Sequence, residues 1–201
     1  MTSEFRMEYN GFILRSISPK DNEFLRSLRN DPRVSMYLPD TGQIGVERQT
    51  RWYEDVYRVS PNQQRFMLER DDVPLGTHNL TDINLNPPVK YGEPGVALHP
   101  DYWGKGIAVT GMRMLQHYYF NLVGLDIAVV RTHKDNARMI ANFKKEGSQV
   151  HQVSEEEFRA LGLEITDENH LYFVREKGKH WTLDALVEIS FDPQDLDAFP
   201  K

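Results

Sequence analysis

Gly104-Lys105-Gly106 stands where an apolar run ending at Leu98 gives way to a long stretch of helical periodicity, and this junction constrains the fold more than any other feature of the chain. Glycine reaches backbone conformations closed to residues with a Cβ, so successive amide N–H groups in such a turn converge on one anion. The helix that follows aims its positive end at the same point. Lys105 adds a cation, and no acidic residue lies between Trp103 and Gly111. The pattern reads as a phosphate cradle, although a strand-to-helix turn with no ligand accommodates the same glycines.

The spacing excludes the better-known glycine loops. A dinucleotide fingerprint requires a third glycine where Val109 stands, and a Walker loop requires Lys-Ser/Thr after its second glycine, whereas Lys105 precedes Gly106. The segment instead resembles the acyl-CoA loop of the GNAT N-acetyltransferase superfamily, whose R/Q-x-x-G-x-G/A pattern falls on Trp103, Gly106 and Ala108, with Trp103 departing from the usual first residue. A second block, His133 to Gly147, is similar to that family's x-N-x-x-A-I-x-x-Y-x-K-x-G segment, with Asn136 and Phe143 at its asparagine and aromatic positions. A third, Arg29-Asn30-Asp31-Pro32-Arg33-Val34, is similar to the R-N-D-P-x-V signature of the branch that holds ribosomal-protein N-terminal, polyamine and amino-sugar acetyltransferases.

The resemblance runs from about Gly11 to about Lys177 and implies an α/β fold: a mixed, mostly antiparallel sheet, splayed at the acyl-CoA site and flanked by helices. It implies acetyl-CoA as co-substrate and no metal. The expected binding residues are Val96, Ala97 and Leu98 through their backbone, the loop Trp103, Gly104, Lys105, Gly106, Ile107 and Ala108, then Asn136 on the pantetheine arm and Phe143 beside the thioester sulfur. Glu93 aligns with the glutamate of the branch's A-E-I-G strand and is the candidate base. A carboxylate there takes a proton directly or through water and attracts an ammonium group; a surface glutamate in a turn beside Pro94 is the plainer reading. Relatives commonly place tyrosine where Phe143 stands, and a phenyl ring has no proton to give a departing thiolate. Water, or a nearby residue such as Tyr102, is then left to protonate the thiolate, or the protein turns over weakly or not at all.

The 201 residues, 39% apolar and 11% aromatic, suffice for one domain with a sizeable core. Residues 1–177 are expected to form it and 178–201 to be a C-terminal extension. The chain has no cysteine, which removes disulfides, thiolate metal sites and cysteine nucleophiles, and its seven histidines form no H-x-x-x-H or H-E-x-x-H pair. No G-x-S-x-G elbow occurs. The absence of a long apolar run and of a basic, apolar leader leads to the expectation of a cytoplasmic chain without membrane association. A net charge of −6 disfavours nucleic acid and leans toward a cationic acceptor.

Periodicity predicts strands at 11–17, 64–70, 75–84, 95–98, 126–132 and near 149–153, with a last strand at 171–175. It predicts helices at 19–30, 32–38 and 46–59, one carrying Met112, Leu115, Tyr119 and Leu122, one after Asn136, and a short one opened by Ser154-Glu-Glu-Glu. Trp52, Tyr53, Glu54 and Asp55 are candidates for an acceptor wall. Lys105, Arg113, Lys134 and Arg138 are candidates for phosphate contacts. The expected function is acetyl transfer to a primary amine of a small molecule (an amino sugar, a sugar nucleotide or a polyamine) by direct attack in a ternary complex, with a protein N-terminus or a non-catalytic CoA-binding or partner-binding module as alternatives, and a homodimer left open. A nucleotide-linked sugar acceptor would require a basic patch near Arg29, Arg33 or Arg51; a polyamine would require carboxylates there.

Overall fold

The computed structural model describes residues 5–38, 42–86, 88–146, 151–160, 169–179, 183 and 189–190. In chain order the elements are β1 (Arg6–Tyr9), β2 (Phe12–Ser16), α1 (Asn22–Asn30), α2 (Pro32–Ser35), α3 (Val46–Arg51), β3 (Gln64–Arg70), β4 (Val73–Asn84), β5 (Tyr91–Leu98), α4 (Ile107–His117), β6 (Ile127–His133), α5 (Ala137–Glu146), β7 (His151–Gln152), α6 (Glu155–Ala160), β8 (His170–Glu176) and β9 (Ile189–Ser190). Wide π-type turns prolong α3 over Trp52–Tyr57 and α4 over Tyr118–Leu122.

The strands form one sheet in the order β7-β8-β6-β5-β4-β3-β2-β1-β9. Among the described residues each neighbouring pair is antiparallel except β5 and β6. That parallel contact holds only at Tyr91 with Ile127 and Gly92 with Ala128. Beyond it β5 runs to Leu98 and β6 to His133 without pairing, so the sheet opens into a V. Pro94 sits just past the parting. Proline is confined in sheets to edges and bulges, and past Gly92 β5 is an edge on its β6 side.

Strand alternation sorts the core into two layers. Phe66 and Leu68 on β3, Leu80 on β4 and Leu98 on β5 join Met112, Leu115 and Tyr119 of the α4 segment on one face. Val130, Phe143 and Phe173 place α5 on that face too. The other face carries Ile17, Tyr53, Tyr57 and Met67, covered by Phe24 and Leu25 of α1 and by Trp52, with α6 adding Phe158 over Val129 and Tyr172. The α1–α3 corner is fixed by side chains read from the sequence: Asn30 donates to and accepts from the backbone of Ile44, both at 2.9 Å, while the Asp31 carboxylate accepts from Arg33 N–H at the start of α2.

The expected elements form, with differences at their edges. β5 begins at Tyr91 instead of residue 95, so Glu93 belongs to the strand and not to a turn. β4 already includes Val73 and Pro74; the turn is Asp71-Asp72, both at positive φ, and Pro74 is accommodated where the β3–β4 register shifts. Four-residue β1 was not anticipated, and β8 is not the last strand, because Ile189 and Ser190 pair with Met7 and Arg6 at the sheet edge. The Ser154 capping box is present: Ser154 N–H donates to Glu157 at 2.7 Å and Glu157 N–H donates to Ser154 Oγ at 3.2 Å. Residues 149–150 of the predicted strand and most of 178–201 lie outside the described residues.

α4 lies close on the sheet because Gly111 faces His78 of β4. A Cβ at Gly111 would come within 2.4 and 2.5 Å of the imidazole Cε1 and Nε2. Gly111→Ala is therefore expected to destabilise the fold by about 1–3 kcal/mol, as overpacking does, with much of the loss recovered in a His78→Ala background. Equal losses in both backgrounds on chemical denaturation would show that the contact is not the cause.

His78 is fully buried, and burial pushes its pKa down to about 4 against the opposing Ala108 backbone. Between pH 6.5 and 4 the unfolded chain binds a proton that the native state refuses, so this stabilisation is complete above pH 6.5 and is lost as the pH falls. The full loss amounts to about 3 kcal/mol. Denaturation midpoints from pH 7 to pH 4 should show this component, and it should be missing in His78→Leu.

Candidate active site

The V between β5 and β6 opens into a cavity of about 1050 Å³ that passes through the sheet. Its floor is the free edge of β5 at Gly95–Leu98, its far wall Val130–His133 of β6. On the α4 side it meets the glycine loop. Gly104 and Gly106 sit at φ +77° and +75°, and a Cβ on either would meet nothing within 4 Å. The backbone conformation, not crowding, selects glycine here, and open space stands in front of the α4 N-terminus, where the first amides have no partner within the helix. This arrangement fits an anion such as a pyrophosphate.

Trp103 explains its own departure from the family pattern. Its indole N–H donates to the Leu98 carbonyl at 2.8 Å, bracing the loop against the end of β5, while the Arg138 guanidinium of α5 lies 4.0 Å above its ring. The ring thus joins the loop to the helix across the cavity mouth. Of the four proposed phosphate cations, Arg138 lines the cavity; Lys105 holds its ammonium 5.6 Å over the Tyr102 ring, and Arg113 and Lys134 are not in the lining. His99, the residue after β5, lies outside the lining too, and its ring accepts from Asp101 N–H.

Val96, Ala97, Leu98, Trp103, Gly104, Gly106, Ile107, Ala108, Asn136, Phe143 and Glu93 all border this one cavity. Asn136 caps α5, its Oδ1 accepting from Met139 N–H at 3.2 Å, which leaves its NH2 group to donate to a ligand. Phe143 is buried against Val130 and Phe173, 4.6 Å from the latter ring. Tyr102 borders the cavity as well.

Glu93 points from β5 across the parting to β6, where Arg131 grips both its oxygens at 2.8 and 2.7 Å. Burial pushes the Glu93 carboxyl above the usual carboxylate range, and the Arg131 guanidinium opposes that rise. The pair bridges the V just past the last β5–β6 contact. Arg131 was not singled out from the sequence; a lone charge inside the β-branched run Ile127–His133 was the available signal.

The acceptor wall is only partly as expected. Trp52 lines the cavity, but Tyr53 is core, Glu54 pairs with Arg58 at 2.9 Å, and neither Glu54 nor Asp55 is in the lining. Of the basic candidates, Arg29 and Arg33 line the cavity and Arg51 does not; Arg48 and Arg65, not anticipated, do.

The family model described as acetyltransferase (GNAT) domain matches residues 12–149. The chain belongs to the GNAT acetyltransferases. Spermidine N(1)-acetyltransferase of Escherichia coli K12 is 25% identical over 138 residues, covering 68% of this chain and 72% of that enzyme. Two solved structures share the fold at a TM-score of 0.70. One is apo FdhC, a nucleotide-linked sugar GNAT, at 22% identity over 88% of this chain and 93% of that one. The other is the Vibrio cholerae spermidine N-acetyltransferase in complex with CoA and spermine, at 18% identity over 84% and 97%. Among the described residues of this acetyltransferase, no helix is long and apolar enough to cross a membrane.

The ion pair of this acetyltransferase makes a measurable statement. Glu93, followed by carboxyl NMR, is expected to titrate above the ordinary glutamate range, and Arg131→Met to move it higher still, because the guanidinium is what chiefly opposes the effect of burial. An unchanged or lower value in the variant would mean that Arg131 does not hold the carboxylate.

Proposed function

We propose that this acetyltransferase moves the acetyl group of acetyl-CoA onto a primary amine of a small molecule by direct attack, with both substrates bound in one cavity. The observation that carries this reading is the continuity of the cavity from the glycine loop on the α4 face, through the V, to Glu93, Arg29 and Trp52 on the opposite face. Residues Gly104–Ala108 and Asn136 would hold acetyl-CoA, which supplies the thioester. The E. coli and Vibrio relatives, named as spermidine acetyltransferases, and the nucleotide-linked sugar GNAT support a small amine.

The chain's own groups supply the rest. An amine must lose a proton to attack, and Glu93, with its raised pKa, accepts one directly or through a water. Backbone N–H groups of Val96–Leu98, on an edge without a strand partner, polarise a carbonyl laid along it without help from any side chain. Phe143 has no proton for the departing sulfur, which leaves the Tyr102 hydroxyl as the donor in the same cavity or the task to water.

Calorimetric titration with acetyl-CoA tests the reading at its base. Micromolar affinity, about −8 kcal/mol, is expected for the parent protein and none for Gly106→Trp, which fills the loop. Thiol release on adding amines should follow, with Glu93→Gln lowering kcat by about 10²–10⁴. Binding without release for any amine would favour the non-catalytic module; no binding in either protein would reduce the loop to a structural turn.

A further inference from the structure

Among the described residues, the cavity is lined by seven arginines and one carboxylate, Glu93. That imbalance is not spread evenly. Arg131 answers Glu93, and Arg138 lies on Trp103 by the cradle, whereas Arg65 and Arg29 face the end of the cavity beyond the V. Arg65 projects from β3 on the α1–α3 face, and its guanidinium lies 5.1 Å over Trp52. Its side-chain hydrogen bond, from Nε to the neutral Gln63 Oε1, is long at 3.3 Å. No carboxylate lies within ion-pair distance of it among the described residues, and the nearby charged group is another cation, Arg29. Burial and Arg29 both push the Arg65 pKa down.

A largely buried guanidinium is costly without an anion. In a cavity that binds a substrate, the missing anion is most simply part of that substrate. The register supplies the distance. Arg65 pairs with Asn79 on β4, and Asn79 with Gly95 on β5, so the three stand in one row on one face. Gly95 lacks a side chain where the Asn79 amide crosses it, since a Cβ there would lie 2.6 Å from Asn79 Oδ1. Glu93 follows two residues along the same face. Two strand spacings, about 10 Å, therefore separate the backbone carrying the arginine from the edge where the amine must react, and Asn79 offers a donor and an acceptor between them.

We propose that the amine acceptor carries an anionic group, phosphate or carboxylate, which Arg65 binds with Arg29 at its side, while the amine lies by Glu93 and Gly95 and Asn79 reads the polar body between. The inference rests on the acetyl-transfer reading above. It sets this chain apart from an enzyme for polyamines, whose distal ammonium would meet two guanidiniums. An amino sugar bearing a phosphate or carboxylate has the required ends and middle.

Two measurements separate its failure from failure of the acetyl-transfer reading. In the Gly106→Trp protein, where the cradle is blocked, calorimetry with inorganic pyrophosphate should still detect a site, and adding Arg65→Met should weaken it at least tenfold. Absence of that site, or indifference to Arg65, overturns the proposal whatever the enzyme does with acetyl-CoA. In the parent enzyme, thiol release is compared for glucosamine, glucosamine 6-phosphate, the corresponding amino-uronate and spermidine. Either anionic sugar should exceed glucosamine in kcat/KM by tenfold or more, the better of the two naming the anion, and Arg65→Met should erase most of that ratio through KM, with Arg65→Lys restoring part of it. Spermidine as the best acceptor, or a ratio unmoved by Arg65→Met, overturns it. Should Arg65→Met fail to fold, Arg29→Met is read by the same ratio.

Discussion

Everything functional in this molecule depends on hydrogen bonds that β5 and β6 do not make. Their parallel contact ends at Gly92 and Ala128, and the two strands then diverge with helices α4 and α5 packed on one side and α1 and α3 on the other. An unpaired strand edge in the middle of a sheet is a liability unless a ligand or water satisfies it. Here the open edge at Gly95–Leu98 borders the cavity of about 1050 Å³, and in the proposed reaction an extended, amide-bearing substrate arm would pair with it. Pro94 helps keep it open, because a residue without N–H cannot contribute a full ladder to a returning strand. Glu93 and Arg131 then tie the two strands together by side chains where the backbone has released them.

The second constraint is the seating of α4. Its N-terminus must stop at the mouth of the V, and that position is fixed from below by the Gly111–His78 contact and from the side by Trp103, whose indole N–H holds the Leu98 carbonyl. Shifting either would move the cradle relative to the strand edge. In the proposed reaction the two ends of acetyl-CoA, phosphate and amide arm, would thus be placed by separate local interactions that share only α4 and β5.

Much of this was legible in the sequence because its cause is local. Glycines at positive φ, an asparagine that caps a helix, and Asn30-Asp31-Pro32 at a helix junction each act within a few residues, and each stands where the pattern put it. Glu93 was singled out through its likeness to a strand glutamate while periodicity began the strand only at residue 95, because Pro94 and the flanking glycines mask a strand that runs from Tyr91 through them. Arg131, Arg65, Asn79 and His78 were not legible. Their significance comes from cross-strand register and from a cavity formed by elements far apart in the chain. The pairing of β9 with β1, two residues long, is likewise below what periodicity can detect.

Net charge misleads in the same way and for a physical reason. The chain carries −6 overall, which leans toward a cationic partner, yet its cavity is walled by guanidiniums. Exposed charges are screened within about 8–10 Å in physiological salt, while charges lining a partly buried cleft are screened much less. What an entering acceptor meets is therefore the local order of charges, with the Glu93–Arg131 pair at the reacting end and Arg65 beside Arg29 at the other. In the proposed reaction an ammonium is drawn to the carboxylate and repelled from the far wall, so an acceptor with one cationic and one anionic end would enter with its amine toward β5. The acidic surface and the basic cavity are compatible because they serve different distances, one the solubility of the whole and the other the pose of a substrate.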